Sequence, residues 1–182
     1  VIYIMYEDME LMRKFFGEVW HQTETDPHVL EKLKSAKNPI DVGCGYNPYK
    51  QYNPNLIGVD IVNEKADWIG DIIDYPGWDR KFDLAICYGI LHFHSYDWIR
   101  QRLEWVLNNT TPNAQILIKV NPTPKEDQEE SLRSSDVVWF DRWNKGLADH
   151  FAQMYNLEVW NWREWRNPAD NSIRYKFDYR KT

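Results

Sequence analysis

At 182 residues, with 43% hydrophobic and 27% charged residues, the chain has the length and balance of one globular domain, not of a disordered or fibrous protein. Its formal net charge of -6, with no run of Lys or Arg, counts against a protein whose main work is gripping a phosphate backbone, though not against brief contact with nucleic acid. Two cysteines without metal-ligand spacing, Cys44 and Cys87, predict no metal site and a reduced, cytoplasmic setting, and the apolar runs are too short to span a membrane.

The chain opens on Val1, not Met, so a truncated or alternative start is expected. From Tyr6 to Trp20, Met9, Met12, Phe15, Phe16 and Val19 recur at steps of three and four, which predicts an amphipathic helix. Asp26-Pro27 places a capping carboxylate before a proline at the first helical position. A short helix through Leu30 and Leu33 should follow, ending near Lys37 before Asn38-Pro39 breaks it. Four apolar runs come next in the chain: Ile40–Val42, Leu56–Ile61, Phe82–Tyr88 and Gln115–Val120. Without polar alternation, they suit parallel strands covered on both faces. Between the third and fourth, Ser95 can cap a helix whose stripe is Ile99, Leu103, Val106 and Leu107. Pro122 to Asp136 is polar and acidic, which predicts a mobile loop. A further helix is expected to carry Phe140, Trp143, Leu147, Phe151 and Met154 on one face. Two alternating segments, Leu157–Trp165 and Ser172–Tyr179, split by Asn167-Pro168, predict an antiparallel pair at the sheet edge. Ten Trp and eleven Tyr point first to a core built on rings and second to an aromatic-lined pocket. With no internal repeat or linker, one domain over residues 1–182 is expected, with 1–37 as a helical cover and 38–182 as the α/β core.

Strands alternating with helices imply a mostly parallel sheet with right-handed crossovers, whose ligands bind at the carboxyl ends of the strands. The first such turn is Asp41-Val42-Gly43-Cys44-Gly45, whose glycines let the backbone bend sharply and approach a ligand. Asp60 closes the next run, where an acid can accept hydrogen bonds from ribose hydroxyls. A dinucleotide would also need a pyrophosphate seated on a helix N-terminus. Here Pro48 and Pro54 leave room for about one helical turn between Tyr46 and Asn55, and Pro48 stands where a third glycine belongs. A nucleoside ligand without phosphates suits the turn better.

In order, Asp41-Val-Gly43-Cys44-Gly45, Asp60 with Ile61 after it, Gly70-Asp71-Ile72, and Phe82 through Tyr88-Gly89 to His92 resemble the motifs of class I S-adenosylmethionine-dependent methyltransferases. The resemblance runs from about Pro39 to Pro122 and is closest to a subgroup with a shortened first crossover. It implies a doubly wound, mostly parallel, seven-stranded Rossmann-like sheet with an antiparallel edge strand and N-terminal helices. It also implies S-adenosylmethionine as cofactor, with Asp41, Gly43, Cys44 and Gly45 around its methionine part and Asp60 and Ile61 at the ribose. By the same resemblance Asp71 meets the adenine amino group, Ile72 packs on the ring, and Tyr88 and Gly89, where the family's fourth strand meets the loop after it, are cofactor-binding residues.

The expected reaction is methyl transfer to a small-molecule acceptor, for which alignment supplies most of the rate. His92 and His94 follow the third long run, where the acceptor would lie, and are the candidates for a general base or an acceptor clamp. Capping or packing is the competing role for either histidine. Asp83, at the entrance of its strand, is expected to be structural, and Asn121-Pro122 to line the pocket. The competing functions are a noncatalytic interaction domain of the same fold and a nicotinamide-dependent oxidoreductase, the latter disfavoured by the short crossover.

Overall fold

The computed structural model describes residues 10, 13–14, 24–77, 80–122, 140–168 and 171–182. The expected helix from Tyr6 to Trp20, apart from residues 10, 13 and 14, lies outside these residues, as does the expected loop beyond Pro122.

Seven strands form one sheet: β1 (Pro39–Val42), β2 (Ile57–Asp60), β3 (Trp68–Ile69), β4 (Phe82–Tyr88), β5 (Thr110–Val120), β6 (Leu157–Arg166) and β7 (Ile173–Lys181). Their spatial order is β3-β2-β1-β4-β5-β7-β6. The first five are mutually parallel, and β7 runs antiparallel between β5 and the outermost strand β6. The strand order reverses at β1, between β2 and β4, which is where such sheets open a crevice for a ligand.

Helices cover both faces because β4 and β5 are apolar on both. On one side Cys87, Ile116, Ile118 and Phe177 pack with α2 (Tyr96–Asn108) and α3 (Lys145–Tyr155). On the other, Leu84, Ile86, Tyr88 and Leu117 meet Val29 and Leu33 of α1 (Pro27–Leu33) and the ring of Tyr49. The core on the first side is rich in rings: Phe151 stacks on Tyr96 at 5.3 Å and leans on Trp143 at 5.8 Å, and Trp143 leans on Phe177.

The helix ends follow local chemistry. Asp26 caps α1 by accepting from the His28 N–H at 2.9 Å, and Ser95 caps α2 by accepting from Trp98. Two contacts dock α1 on β7: His28 on Asp178 at 3.0 Å and Lys176 on Asp26 at 2.7 Å. α1 stops at Leu33 and not near Lys37, because the backbone N–H groups of Lys37 and Asn38 are taken by the Asp83 carboxylate at 2.7 and 2.9 Å. That is the structural role expected of Asp83. The last helix begins at Lys145, not Phe140, since Asn144 accepts from the Leu147 N–H and starts it there. Phe140 and Trp143 are buried ahead of it, with the Trp143 indole donating to the Leu91 carbonyl, and Met154 turns outward at 45% exposure. β5 starts at Thr110, five residues before the apolar run, pairing Thr110 with Phe82 ahead of a register shift. β3, two residues long, carried no apolar run to announce it.

Candidate functional site

The glycine turn closes β1 over β2. The N–H groups of Gly43 and Cys44 both donate to the Val59 carbonyl, at 2.8 and 3.0 Å. Gly43 sits at φ +77, and a Cβ there would also lie 3.3 Å from the Cβ of Ile90, so only glycine meets both conditions without strain. Cys44 is buried, and desolvation with Asp41 and Asp60 nearby pushes its thiol up, out of reach of reactive chemistry. Behind the turn the crossover is one short 3-10 helix, Pro48–Gln51. Lys50 ties it to β2 through Asp67 at 3.0 Å, while Asp67 accepts from the Gly58 N–H at 2.7 Å. Asn47 lies so close to Gly58 that a Cβ there would come within 2.5 Å of its amide oxygen. The prolines leave no room for a helix that could seat a pyrophosphate.

Asp60 ends β2 with its carboxylate turned into this corner. Oδ2 accepts from the Gly45 N–H at 2.9 Å, and Oδ1 accepts from Val62 and Asn63 at 3.0 and 2.9 Å. A carboxylate has about four acceptor positions, so one remains on Oδ2, enough for one ribose hydroxyl. Ile61 follows, half-buried against the core. Asp41, one strand over, is buried at 3% exposure. Desolvation and the nearby Asp60 raise its carboxyl to about 8, with Lys119 opposing them.

Asp71 follows β3 and opens the short 3-10 helix Ile72–Asp74, accepting from the Ile73 N–H. Its other oxygen pairs with the buried guanidinium of Arg102, a residue of α2 that stacks over the Trp98 ring at 3.9 Å. Burial pulls Arg102 down from its ordinary value and Asp71 opposes that pull. Ile72 is buried beside it. The i, i+4 pair Trp98–Arg102 was visible in the sequence, but nothing there aimed it at Asp71.

At the end of β4, Tyr88 is buried, and Gly89 donates its N–H to the Lys119 carbonyl at 2.9 Å. His92 is buried, and its Nδ1 accepts from the Asn121 N–H at 2.7 Å, which places the proton of the neutral ring on Nε2. His94 is half-buried at φ +62, with Nδ1 3.1 Å from the Ser95 hydroxyl and its ring stacked on Trp98 at 6.2 Å. Lys119, on β5, was hidden in an apolar run. Its ammonium lies 5.1 Å from the centre of the Tyr88 ring, and burial, with Lys176 and Arg174 adding to it, lowers it to about 8.

The predicted residues thus gather at one edge of the sheet, the carboxyl ends of β1, β2 and β4 with the segment after β3. No family model and no curated protein matches the sequence. Solved structures do match in three dimensions. Over all of this chain and 88% of the other, it is similar to 1,6-didemethyltoxoflavin-N1-methyltransferase of Burkholderia thailandensis, with a TM-score of 0.70 at 14% identity. This is the class I methyltransferase fold. A magnesium protoporphyrin IX methyltransferase from Synechocystis, with bound S-adenosylmethionine, matches over 96% of this chain and 97% of its own at TM-score 0.66 and 10% identity. An N-methyltransferase from Bradyrhizobium japonicum, in complex with S-adenosylhomocysteine, matches over 85% and 84% at TM-score 0.62 and 11% identity. Among the described residues no helix is long and apolar enough to cross a membrane, and no three His, Cys, Asp or Glu are grouped to hold a metal ion.

Proposed function

We propose that the protein transfers a methyl group from S-adenosylmethionine to a small-molecule acceptor. The observation that carries this reading is the Gly45–Asp60 contact beside a one-turn crossover. It presents a bare backbone and a carboxylate to a nucleoside and offers no seat for a pyrophosphate. In this reading Asp60 accepts from a ribose hydroxyl through the free position on Oδ2, with Ile61 beside it. Asp71 takes the adenine amino group, with its carboxylate steadied by Arg102, and Ile72 packs on the base. Asp41 and the turn Gly43–Cys44–Gly45 bound the methionine end, and Tyr88 and Gly89 form the wall from β4. Bound there, the cofactor's sulfonium supplies a methyl group that is already activated. The chain's own contribution is to hold the acceptor in line and, for a protonated acceptor, to take its proton.

The two histidines divide that work. His92 spends its free lone pair on Asn121 and so positions the loop after β4 against the end of β5. His94, half-buried at the start of α2, is the candidate base. The test is calorimetry with S-adenosylhomocysteine and with NAD, followed by turnover of a panel of hydroxyl, amine and carboxylate compounds. Binding of the first ligand but not the second, with turnover, is expected. Tight NAD binding with no response to S-adenosylhomocysteine would overturn the reading. Cofactor binding without turnover of any acceptor would favour the noncatalytic domain.

A further inference from the structure

At the end of β4 the sheet register lines up one row across four strands. Tyr88 pairs with Lys119, Lys119 with Lys176, and Lys176 with Arg163. All four lie on the face of the sheet that α1 covers, and Tyr88 directly precedes Gly89. Three cations side by side on neighbouring strands repel one another, and like charges directly opposite each other destabilise a sheet. Asp26 pairs directly with the middle one, at 2.7 Å from Lys176, and with Asp41 reaches Lys119 only through space. Among the described residues Lys119 and Arg163 make no ion pair and no side-chain hydrogen bond. Lys119 is half-buried over the Tyr88 ring, where desolvation makes an unpaired ammonium costly. An anion lying across the row would give Lys119 and Arg163 the direct partner that neither has among the described residues.

We propose that Lys119 and Arg163 receive an anionic group of the methyl acceptor, a carboxylate or a phosphate, with Tyr88 as the floor beneath it. The placement rests on the methyltransferase reading, because the row matters to the reaction only if the methyl donor lies at the adjoining ends of β1 and β4. Its chemistry is that of charge-assisted hydrogen bonds from a point cation and a planar guanidinium to one oxyanion.

The test uses the whole chain loaded with S-adenosylhomocysteine and three probes: benzoate, its neutral isostere benzamide, and inorganic phosphate. Titration calorimetry should show at least one anion binding about tenfold or more tightly than benzamide, the worth of a charge-assisted contact. Preference for benzoate over phosphate, or the reverse, assigns the oxyanion. Lys119→Met and Arg163→Met should each erase most of that preference, and Arg163→Met, remote from the cofactor residues, should leave S-adenosylhomocysteine affinity unchanged. Arg163 is exposed on the outermost strand, so its variant remains informative if Lys119→Met lowers stability. Equal binding of benzoate and benzamide, no binding of either anion, or a preference that survives both substitutions overturns the proposal. Failure to bind S-adenosylhomocysteine in the first place instead overturns the function on which it rests.

Discussion

Asp41 and Asp60 close adjoining strands, and their proximity has a consequence for stability. The Asp41 carboxyl titrates at about 8 in the folded protein, against an ordinary value of 3.8, because burial and Asp60 both disfavour its ionised form. The folded state therefore keeps a proton that the unfolded chain releases. The stability this proton supports is fully present below about pH 4 and is lost as pH rises to about 8. Asp41→Asn removes the titration, so its melting temperature should fall less than the parent's between pH 5 and pH 8; parallel profiles would exclude the effect. At Asp60, whose carboxylate holds three backbone N–H groups and offers one open position, Asp60→Ala should weaken S-adenosylhomocysteine binding by roughly 1.5–3 kcal/mol in calorimetry. The histidines should separate by phenotype. His94→Ala is expected to lower turnover by about 10²–10⁴-fold with cofactor affinity intact. His92→Ala, which releases the Asn121 N–H, should lower the melting temperature. Equal turnover in the parent and His94→Ala across the pH range would leave the reaction to alignment alone.

Elements meet at this site through a few polar ties, and the clearest joins α2 to the segment after β3. The pair Asp71–Arg102 is buried, and Arg102 also covers the Trp98 ring. Removing one partner leaves the other charge buried and uncompensated, which typically costs about 3–5 kcal/mol. Arg102→Ala should lose stability in that range in urea unfolding, and the Asp71→Ala, Arg102→Ala double variant should lose clearly less than the sum of the single changes. Additive losses would show that the pair is not coupled. Element identity was largely legible in the sequence, because apolar runs and helical stripes of strand and helix length leave few alternatives. Their ends were less so. α1 stops early because Asp83, forty-five residues away from Asn38, takes the N–H groups beyond it. The last helix starts late because Asn144 caps it, although Phe140 and Trp143 extend its apolar pattern backward. In both cases a partner or cap outweighed the periodicity.

For the whole molecule, the strand order β3-β2-β1-β4-β5-β7-β6 brings the candidate site to a single edge, so a ligand there bridges elements far apart in sequence. Such a ligand binds the folded state alone. At about a hundredfold over its dissociation constant it adds roughly 2.7 kcal/mol, and in a chain of this size that raises the melting temperature by about 5–10 °C. S-adenosylhomocysteine is expected to do so and NAD, at the same concentration, to leave the transition where it was.

By itself the sequence determined the parallel α/β class, the glycine turn, the acid that ends β2 and the one that follows β3, and the reduction of the first crossover to about one helical turn. Each of these is local: φ permissiveness at Gly43, the prolines at 48 and 54, and apolar runs of strand length are properties of neighbouring residues. Tertiary structure alone decided which side chains meet. It placed Arg102 on Asp71, turned the His92 lone pair to Asn121, and set Lys119, Lys176 and Arg163 abreast. Those contacts depend on sheet register and on how α2 lies against the sheet. Register is a long-range quantity, in which a slip of one residue would turn Lys119 to the opposite face, and no window of sequence around Lys119 contains the strands that set it.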